Sequence, residues 1–364
     1  MTEADLGTKP SRASRNSDAY LNIALVTLLV VVLGVGSWFG YTVYRDRQME
    51  FNSSATGRLV EVLRQAVRKS PNDAAIRVRY GEALGAMGKY QDSIEQFNAA
   101  LKIDPKHEGA YLDLGMVAML NKDNGAAERY FQKVVSLSDD SQYAAMDQMR
   151  EQAYYNLGLL MLDEKRYTEA AGFLKGALAI RNDASDSYYQ LAKAYQGLGD
   201  IDSAISQLEM GLQFDPGFAE AHYYLGELFK LKKDDANASY QFAEAVRLAP
   251  DADQPKQALE AYGQSSDWVA KARAALAAGS LNQAITDAVI ARNLDQKDFA
   301  AAKLHADLLL QSGNLKGALA SYQDAALIRP ADPVVRAQVK ALLAKIAAMP
   351  AARKAAAKRS APAK

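Results

Sequence analysis

One short pattern returns along this sequence at a fixed interval of 34 residues. It reads YYNLG from residue 154, YYQLA from residue 188 and HYYLG from residue 222. Placed on this interval, seven related segments begin at residues 74, 108, 151, 185, 219, 265 and 299. A period of about 20–50 residues is typical of arrays in which one supersecondary unit stacks on the next. The chain is therefore predicted to form a repeat array.

Small residues recur inside each segment, at positions that we number as slots from its first residue. Slots 20 and 27 hold Ala in most copies, and slot 8 holds Gly81, Gly115, Gly158, Ala192, Gly226, Ala272 and Ala306. Slots 4, 7, 11 and 24 are mostly large, and slot 32 holds Pro105, Pro216, Pro250 and Pro330. Small residues let two helix axes approach closely, and proline ends a helix because it lacks a backbone donor. Each segment is therefore predicted to be a two-helix hairpin.

The ends of the array and two insertions complete the organisation of the chain. Residues 45–73 are predicted to form a linker and an N-terminal capping helix, 74–332 the array, and 333–348 a C-terminal capping helix. The insertion 142–150 is predicted to lengthen the helix that enters the third repeat. The insertion 253–264 is predicted to form either a short extra helix or a joint. No run alternates like a strand, so the predicted fold class is all-α.

These features together resemble the tetratricopeptide repeat (TPR) family. The shared features are the period, the aromatic residue followed by Leu and Gly, the Ala at slot 20, the large residue at slot 24 and the closing Pro. The second copy departs from the pattern at Ser138 and Asp139, and the seventh has Ala302 where an aromatic residue is usual. The resemblance implies a right-handed superhelical solenoid of about seven helix-turn-helix repeats.

The resemblance also implies a concave groove lined by slots 2, 5, 9, 12 and 13 of the first helices. On those slots we predict a protein- or peptide-binding surface formed by Leu112, Met116, Met119, Tyr155, Leu159, Tyr189, Lys193, Tyr223 and Glu227. Tyr and Met combine a large contact area with adaptability, which suits a peptide-binding surface. The alternative is that the slot-5 rings only pack against neighbouring helices.

The segment 19–44 contains no charged residue. As a helix it would be about 39 Å long, against a hydrocarbon core of about 30 Å. Tyr20 at one end, and Trp38 and Tyr44 at the other, are placed where aromatic residues meet the headgroups. We predict a transmembrane helix, because the apolar region of a signal peptide is shorter than this segment. A cleavable signal peptide is the alternative.

The flanks of this segment suggest its orientation and neighbours. Residues 1–18 are polar and are predicted to be disordered. Basic residues precede the segment, which favours a cytoplasmic N-terminus and an extracytoplasmic array at the bacterial cytoplasmic membrane. Gly36 and Gly40 form a GxxxG motif, which predicts a weak homodimer. Residues 349–364 carry five Lys or Arg and no acid, and are predicted to be a disordered, solvated tail, with contact to an anionic surface as the alternative.

Composition excludes several classes of function. The formal net charge is zero and there is no cysteine, which argues against a whole-protein polyanion binder and excludes thiolate chemistry. The three histidines lie in different repeats, and no HExxH motif, phosphate-binding loop or nucleophile elbow is present. We predict that the chain is not an enzyme and that it has no catalytic residue, cofactor, metal or nucleic-acid partner.

The sequence therefore predicts a membrane-tethered TPR scaffold or adaptor that binds a protein or an extended peptide. The resemblance to bacterial proteins with one anchor and a TPR array implies a role in assembling an envelope complex. The alternative is a peptide-holding, chaperone-like module, such as the apocytochrome-holding subunit of cytochrome c maturation or an assembly factor for pili or secretion.

Overall fold

The computed structural model describes residues 54–138 and 147–359, and every regular element in those ranges is an α-helix. The predicted tail 1–18, the predicted span 19–44 and the predicted dimer contact at Gly36 and Gly40 lie outside the described residues. Within the described ranges, no helix combines the length and apolar character that crossing a membrane requires.

The helices follow one another along the chain with short connections. They are α1 (Ala55–Lys69), α2 (Ala74–Gly85), α3 (Tyr90–Ile103), α4 (Glu108–Leu120), α5 (Asn124–Ser138), α6 (Gln148–Asp163), α7 (Tyr167–Ile180), α8 (Ser185–Gly197), α9 (Ile201–Phe214), α10 (Ala219–Leu231), α11 (Asp235–Leu248), α12 (Asp253–Glu260), α13 (Ser265–Ala277), α14 (Leu281–Leu294), α15 (Phe299–Gln311), α16 (Leu315–Ile328) and α17 (Pro333–Arg359). The first helices of the repeats begin at the residues where the repeats were predicted to start, except α6, which begins before residue 151.

The chain divides into two compact units, one up to Lys133 and one from Val134. In the first unit α1 packs on α2, α2 on α3 and α3 on α4. In the second unit the same succession runs from α6 to α11, each helix packing on the next. Each unit therefore consists of helix hairpins in which the second helix of one repeat supports the first helix of the next.

The core of each hairpin lies where slot 8 meets slot 24. A Cβ atom added to Gly81 would lie 2.5 Å from Cε1 of Phe97, and one added to Gly158 would lie 2.6 Å from Cγ of Leu174. Phe97 and Leu174 are themselves fully buried. Because real Cβ contacts are not this short, the glycine is what allows the two helices to pack around the large side chain.

The turn inside every hairpin has the same backbone conformation at slot 15. The residue there has a positive φ in all seven repeats: Gly88, Lys122, Lys165, Gly199, Lys233, Gly279 and Gly313. The next amide donates to the carbonyl five residues earlier, for example Asp200 N to Tyr195 O at 2.9 Å. This is a Schellman ending, which satisfies carbonyls left without partners at a helix C-terminus.

Slot-4 side chains tie the first helix of a repeat to the turn before it. In five repeats a polar side-chain atom bonds to the carbonyl six residues earlier: Arg77 to Pro71 (2.9 Å), Tyr111 to Pro105 (3.2 Å), Tyr188 to Asn182 (3.0 Å), His222 to Pro216 (3.2 Å) and Trp268 to Tyr262 (2.7 Å). Tyr154 instead accepts from Arg150 at 3.2 Å. The reason is that α6 begins earlier, so the carbonyl six residues before Tyr154 is already inside that helix.

The insertion 253–264 forms a short helix, α12, the first of the two predicted alternatives. In the first, third, fourth and sixth repeats, the second helix packs on the first helix of the next repeat. Helix α11 instead packs on α12 and on α14, the second helix of the sixth repeat. Asn293 Nδ2 bridges this contact by donating to Ser239 Oγ at 3.0 Å and to Ala236 O at 3.3 Å. Beyond it, α13 packs on α14, α14 on α15 and α16 on α17.

The last helix is longer than predicted. We expected a capping helix over 333–348 followed by a disordered tail, but the backbone of α17 is helical to Arg359. The segment 351–358 is rich in Ala, Lys and Arg, which have high helix propensity. In the capping part, Val335 and Leu342 are buried on α16, whereas Val334 and Leu343 are about half exposed.

Candidate functional site

The predicted groove residues of the first unit are not equally accessible. Leu112 is only 5% exposed, so it belongs to the core, and the prediction that it lines a groove is corrected. Because it is buried, Leu112 leaves almost no apolar surface for a partner to contact. Met116 is 40% exposed and Met119 is half-buried. Next to them, burial and the nearby Glu82 raise the pKa of Asp113 to about 7.

In the second unit, a cavity of about 480 Å³ opens between the third and fourth repeats. It contains two of the predicted residues, Leu159 and Lys193, and its full lining is Leu159, Leu162, Asp163, Tyr167, Gln190, Lys193, Gln196 and Gly197. Gly197 is needed for its shape, because an added Cβ would lie 2.4 Å from the Tyr167 ring. The lining combines apolar side chains, two amides and one charge of each sign.

Lys193 is held in this cavity by an aromatic ring. Its Nζ lies 4.6 Å from the centroid of Tyr189, within the range of a cation–π contact. Burial lowers the pKa of Lys193 because the ammonium loses part of its hydration. A partly dehydrated cation beside an open cavity is suited to bind a carboxylate or a carbonyl oxygen of a partner.

Tyr189 belongs to an aromatic cluster that joins the fourth and fifth repeats. Its ring centroid lies 5.3 Å from that of Phe218 and 5.5 Å from that of Tyr224, in an edge-on arrangement with Tyr224. The Tyr224 hydroxyl donates to Oε1 of Gln196, a residue that lines the cavity. Burial raises the pKa of Tyr189 and of Tyr224. The Tyr189 ring therefore serves both as packing between repeats and as one wall of the Lys193 environment.

The other two slot-5 tyrosines have different neighbours. Tyr155 is half-buried, and its pKa is raised by burial and then by the charge of Asp186, while a hydrogen bond from Gln190 opposes the shift. Tyr223 is half-buried beside a second cavity, at the start of α12. Burial, and then the charge of Glu227, raise the pKa of Tyr223. The three rings thus contact three different environments on the first-helix face.

A buried polar cluster joins the sixth and seventh repeats, and sequence reasoning missed it. His305 is 7% exposed, and its Nδ1 lies 2.9 Å from Nη1 of Arg292 and 3.0 Å from Oγ of Ser321. Arg292 also bonds Asp324 at 2.7 Å. Burial, and then the charge of Arg292, lower the pKa of His305 to about 4. The neutral ring therefore accepts hydrogen bonds, which identifies the cluster as a structural link between repeats.

Comparison with known proteins assigns the family. A tetratricopeptide repeat model matches residues 161–228, and a second tetratricopeptide repeat model matches residues 60–107 and 81–143. Together with the helix hairpins, the slot-8 packing and the Schellman turns described above, these matches show that the chain belongs to the TPR family.

Several known proteins share part of this array. Anaphase-promoting complex subunit 3 of Schizosaccharomyces pombe is 23% identical over 189 residues, covering 52% of this chain and 27% of that protein. The chloroplast TPR protein PYG7 of Arabidopsis thaliana is 32% identical over 103 residues, covering 26% of this chain and 33% of that protein. The solved structure of YrrB, a TPR protein with an unusual peptide-binding site, is 21% identical, with a TM-score of 0.46 over 55% of this chain and 98% of its own. The chain thus spans about a third or less of these two curated relatives.

Proposed function

We propose that this protein is a membrane-tethered, non-enzymatic scaffold whose second unit binds an extended segment of a protein partner. The observation that carries this proposal is the cavity of about 480 Å³ between the third and fourth repeats, with Lys193 at its wall. TPR arrays act in protein–protein interaction, which supports the scaffold role.

The chemistry of the cavity suits a peptide better than a small metabolite. The Gln196 Oε1 accepts from Tyr224 and Gln190 donates to Tyr155. The amide donor of Gln196 and the amide oxygen of Gln190 match the C=O and N–H groups of an extended backbone. Leu159 and Leu162 offer apolar contact for a side chain. Lys193 offers a cation for a carboxylate. Such an arrangement can bind both the backbone and a side chain of a peptide, as peptide-recognition surfaces do.

In-cell photo-crosslinking tests this proposal. A photoreactive residue replaces Lys193, and the matched control carries it at Gly172, which lies on the exposed surface of α7 with nothing within 4 Å of its Cβ position. We expect one or a few discrete products from position 193 and none from position 172. A broad smear of many crosslinked partners at position 193 would favour the peptide-holding alternative. Identical products at both positions would contradict the proposal that the partner binds in this cavity.

The tether is proposed from the uncharged segment 19–44. With this segment in the bilayer, the array would project from the bacterial cytoplasmic membrane and take part in assembling an envelope complex. We expect the protein to stay in the membrane pellet after a carbonate wash and to leave it only with detergent. Release by carbonate alone would contradict the tether.

A further inference from the structure

The insertion helix builds a second cavity at the start of α10, about 270 Å³ in volume. Its lining residues are Ala219, Glu220, Tyr223, Ala249, Ala252, Asp253, Gln254 and Pro255. Pro255 is buried although it belongs to a short surface helix, which shows that α12 turns its apolar side towards the array. Because Ala249, Ala252, Pro255 and the Tyr223 ring form most of the walls, the interior is apolar.

The rim of this cavity is acidic. Glu220 and Asp253 are exposed at its edge, and no Lys, Arg or His is among the lining residues. Both carboxylates lie in the first turn of a helix. Each helix end contributes roughly half a positive charge, which is smaller than the full negative charge of each carboxylate. The rim is therefore net negative and attracts a cation.

We propose that this insertion pocket binds one large apolar side chain of the partner segment, next to a Lys or Arg that pairs with Glu220 and Asp253. The proposal rests on the function proposed above and adds a sequence preference to it. The volume supports a single side chain, because small-molecule sites are usually larger, roughly 300–1,000 Å³. Since the pocket depends on α12, it would distinguish this array from one of uninterrupted repeats.

Direct binding measurements test the preference. Three dye-labelled, end-blocked glycine octapeptides carry Leu-Lys, Ala-Lys or Leu-Glu at their centre, and fluorescence anisotropy follows their binding to the full chain in lipid nanodiscs. We expect the Leu-Lys peptide to bind at least about tenfold more tightly than the Ala-Lys peptide, because burying even two of the three additional carbons of Leu is favourable by more than that factor. We expect the Leu-Glu peptide to bind more weakly than the Leu-Lys peptide, because the rim repels it. Empty nanodiscs correct for binding to lipid.

Two variants separate the walls from the rim. Ala252→Phe fills the pocket without removing a capping bond, since Ala252 makes no side-chain cap. We expect it to abolish the preference for Leu over Ala. Glu220→Gln with Asp253→Asn should abolish only the preference for Lys over Glu. Ala179→Phe, at an exposed position of α7, is the matched control and should behave like the wild type.

The outcomes separate this inference from the scaffold proposal. Equal affinity of the wild type for the Leu-Lys and Ala-Lys peptides, or a preference unchanged in Ala252→Phe, would overturn the insertion pocket. In that case, discrete crosslinked products from position 193 would still support the scaffold proposal. Conversely, the absence of any crosslinked product at position 193, together with a retained peptide preference, would overturn partner binding in the cavity between the third and fourth repeats. The insertion pocket would then still be supported.

Discussion

At the scale of single residues, each hairpin depends on the fit between slot 8 and slot 24. Gly faces Phe or Leu in four repeats, as Gly226 faces Phe242 with only 2.6 Å between the added Cβ position and Cε1. Ala192 and Leu208 occupy the same two slots in the fourth repeat, and both are buried. The small residue is therefore required by the volume of its partner, not by the flexibility of glycine.

Gly158→Ala tests this fit. The new Cβ would lie 2.6 Å from Cγ and 2.7 Å from Cδ2 of Leu174, so this fully buried side chain has to shift to accept it. We expect the free energy of unfolding to fall by about 1–3 kcal/mol. Gly172→Ala is the control in the adjacent helix, where an added Cβ meets nothing within 4 Å. It should raise stability by up to about 1 kcal/mol, because Ala is the better helix former. Urea denaturation of the full chain in detergent measures both, and equal effects would contradict the packing.

His305 gives the second unit a dependence on pH. Its pKa is about 4 in the folded chain and about 6.5 when unfolded, so between these values the unfolded chain binds a proton that the folded chain does not. Stability is therefore highest above about pH 6.5 and falls as the pH drops towards 4, by at most about 3 kcal/mol for this group. Protonation is unfavourable because the ring is buried and, secondly, because the positive charge of Arg292 lies beside it.

His305→Gln should reduce this dependence. The Gln side chain can still accept a hydrogen bond from Arg292 or Ser321 but has no proton to gain between pH 7.5 and 4.5. We expect the loss of unfolding free energy over that range to be smaller in the variant than in the wild type. Urea titrations at both pH values provide the comparison. An unchanged difference would mean that other groups produce the acid sensitivity.

At the scale of helices, the turn inside each hairpin is limited by backbone conformation. Lys165 occupies slot 15 with a φ of 59°, where the other turns of this kind often have Gly. A residue with a Cβ costs roughly 1 kcal/mol in this region. Lys165→Gly should therefore raise the free energy of unfolding by up to about 1 kcal/mol, and the reciprocal Gly199→Lys should lower it by a similar amount. Chemical denaturation measures the pair, and effects of the same sign would contradict the argument.

Much of this helix architecture is predictable because it repeats. Gly81, Ala284 and the other small slots mark the helix contacts in seven aligned copies, so the hairpins and their starting residues follow from the period. The slot-15 turn was also visible, as Gly in four of the copies, but the three Lys residues obscure it. At slot 4 the sequence showed only that the residue is mostly large, whereas the structure shows that its polar atoms bond to the preceding turn.

The candidate sites were less predictable, because they depend on contacts that have no period. Leu112 and Tyr189 share slot 5, yet one is buried and the other contacts a cation. The cavity beside Pro255 exists only because α12 packs in one particular way, and a single copy of an insertion cannot be aligned with anything. The repeated residues specify the packing that all hairpins share. The contacts that differ from one hairpin to the next are seen only in the three-dimensional structure.

At the scale of the whole molecule, each repeat of an array is stabilised by its contacts with the adjacent repeats. The insertion 253–264 interrupts this succession of contacts. The 34-residue period would start the sixth repeat at residue 253, but it starts at residue 265. In between, α11 packs on α12 and on α14. Asn293 secures the contact of α11 with α14, which has no equivalent between the fourth and fifth repeats.

Deleting residues 253–264 would restore the period and place α13 after α11, as α10 follows α9. The contact of α14 with α11 would then be lost, and Asn293 would lose its two acceptors on α11. Asn293→Ala should lower the unfolding free energy of the wild type by about 1–2 kcal/mol, because two hydrogen bonds disappear from a part-buried site. In the deletion variant the same substitution should cost close to nothing. The double-mutant cycle isolates the coupling between the insertion and Asn293, and urea denaturation of the four chains supplies it. If Asn293→Ala costs the same in both backgrounds, the insertion does not determine how the fifth and sixth repeats pack.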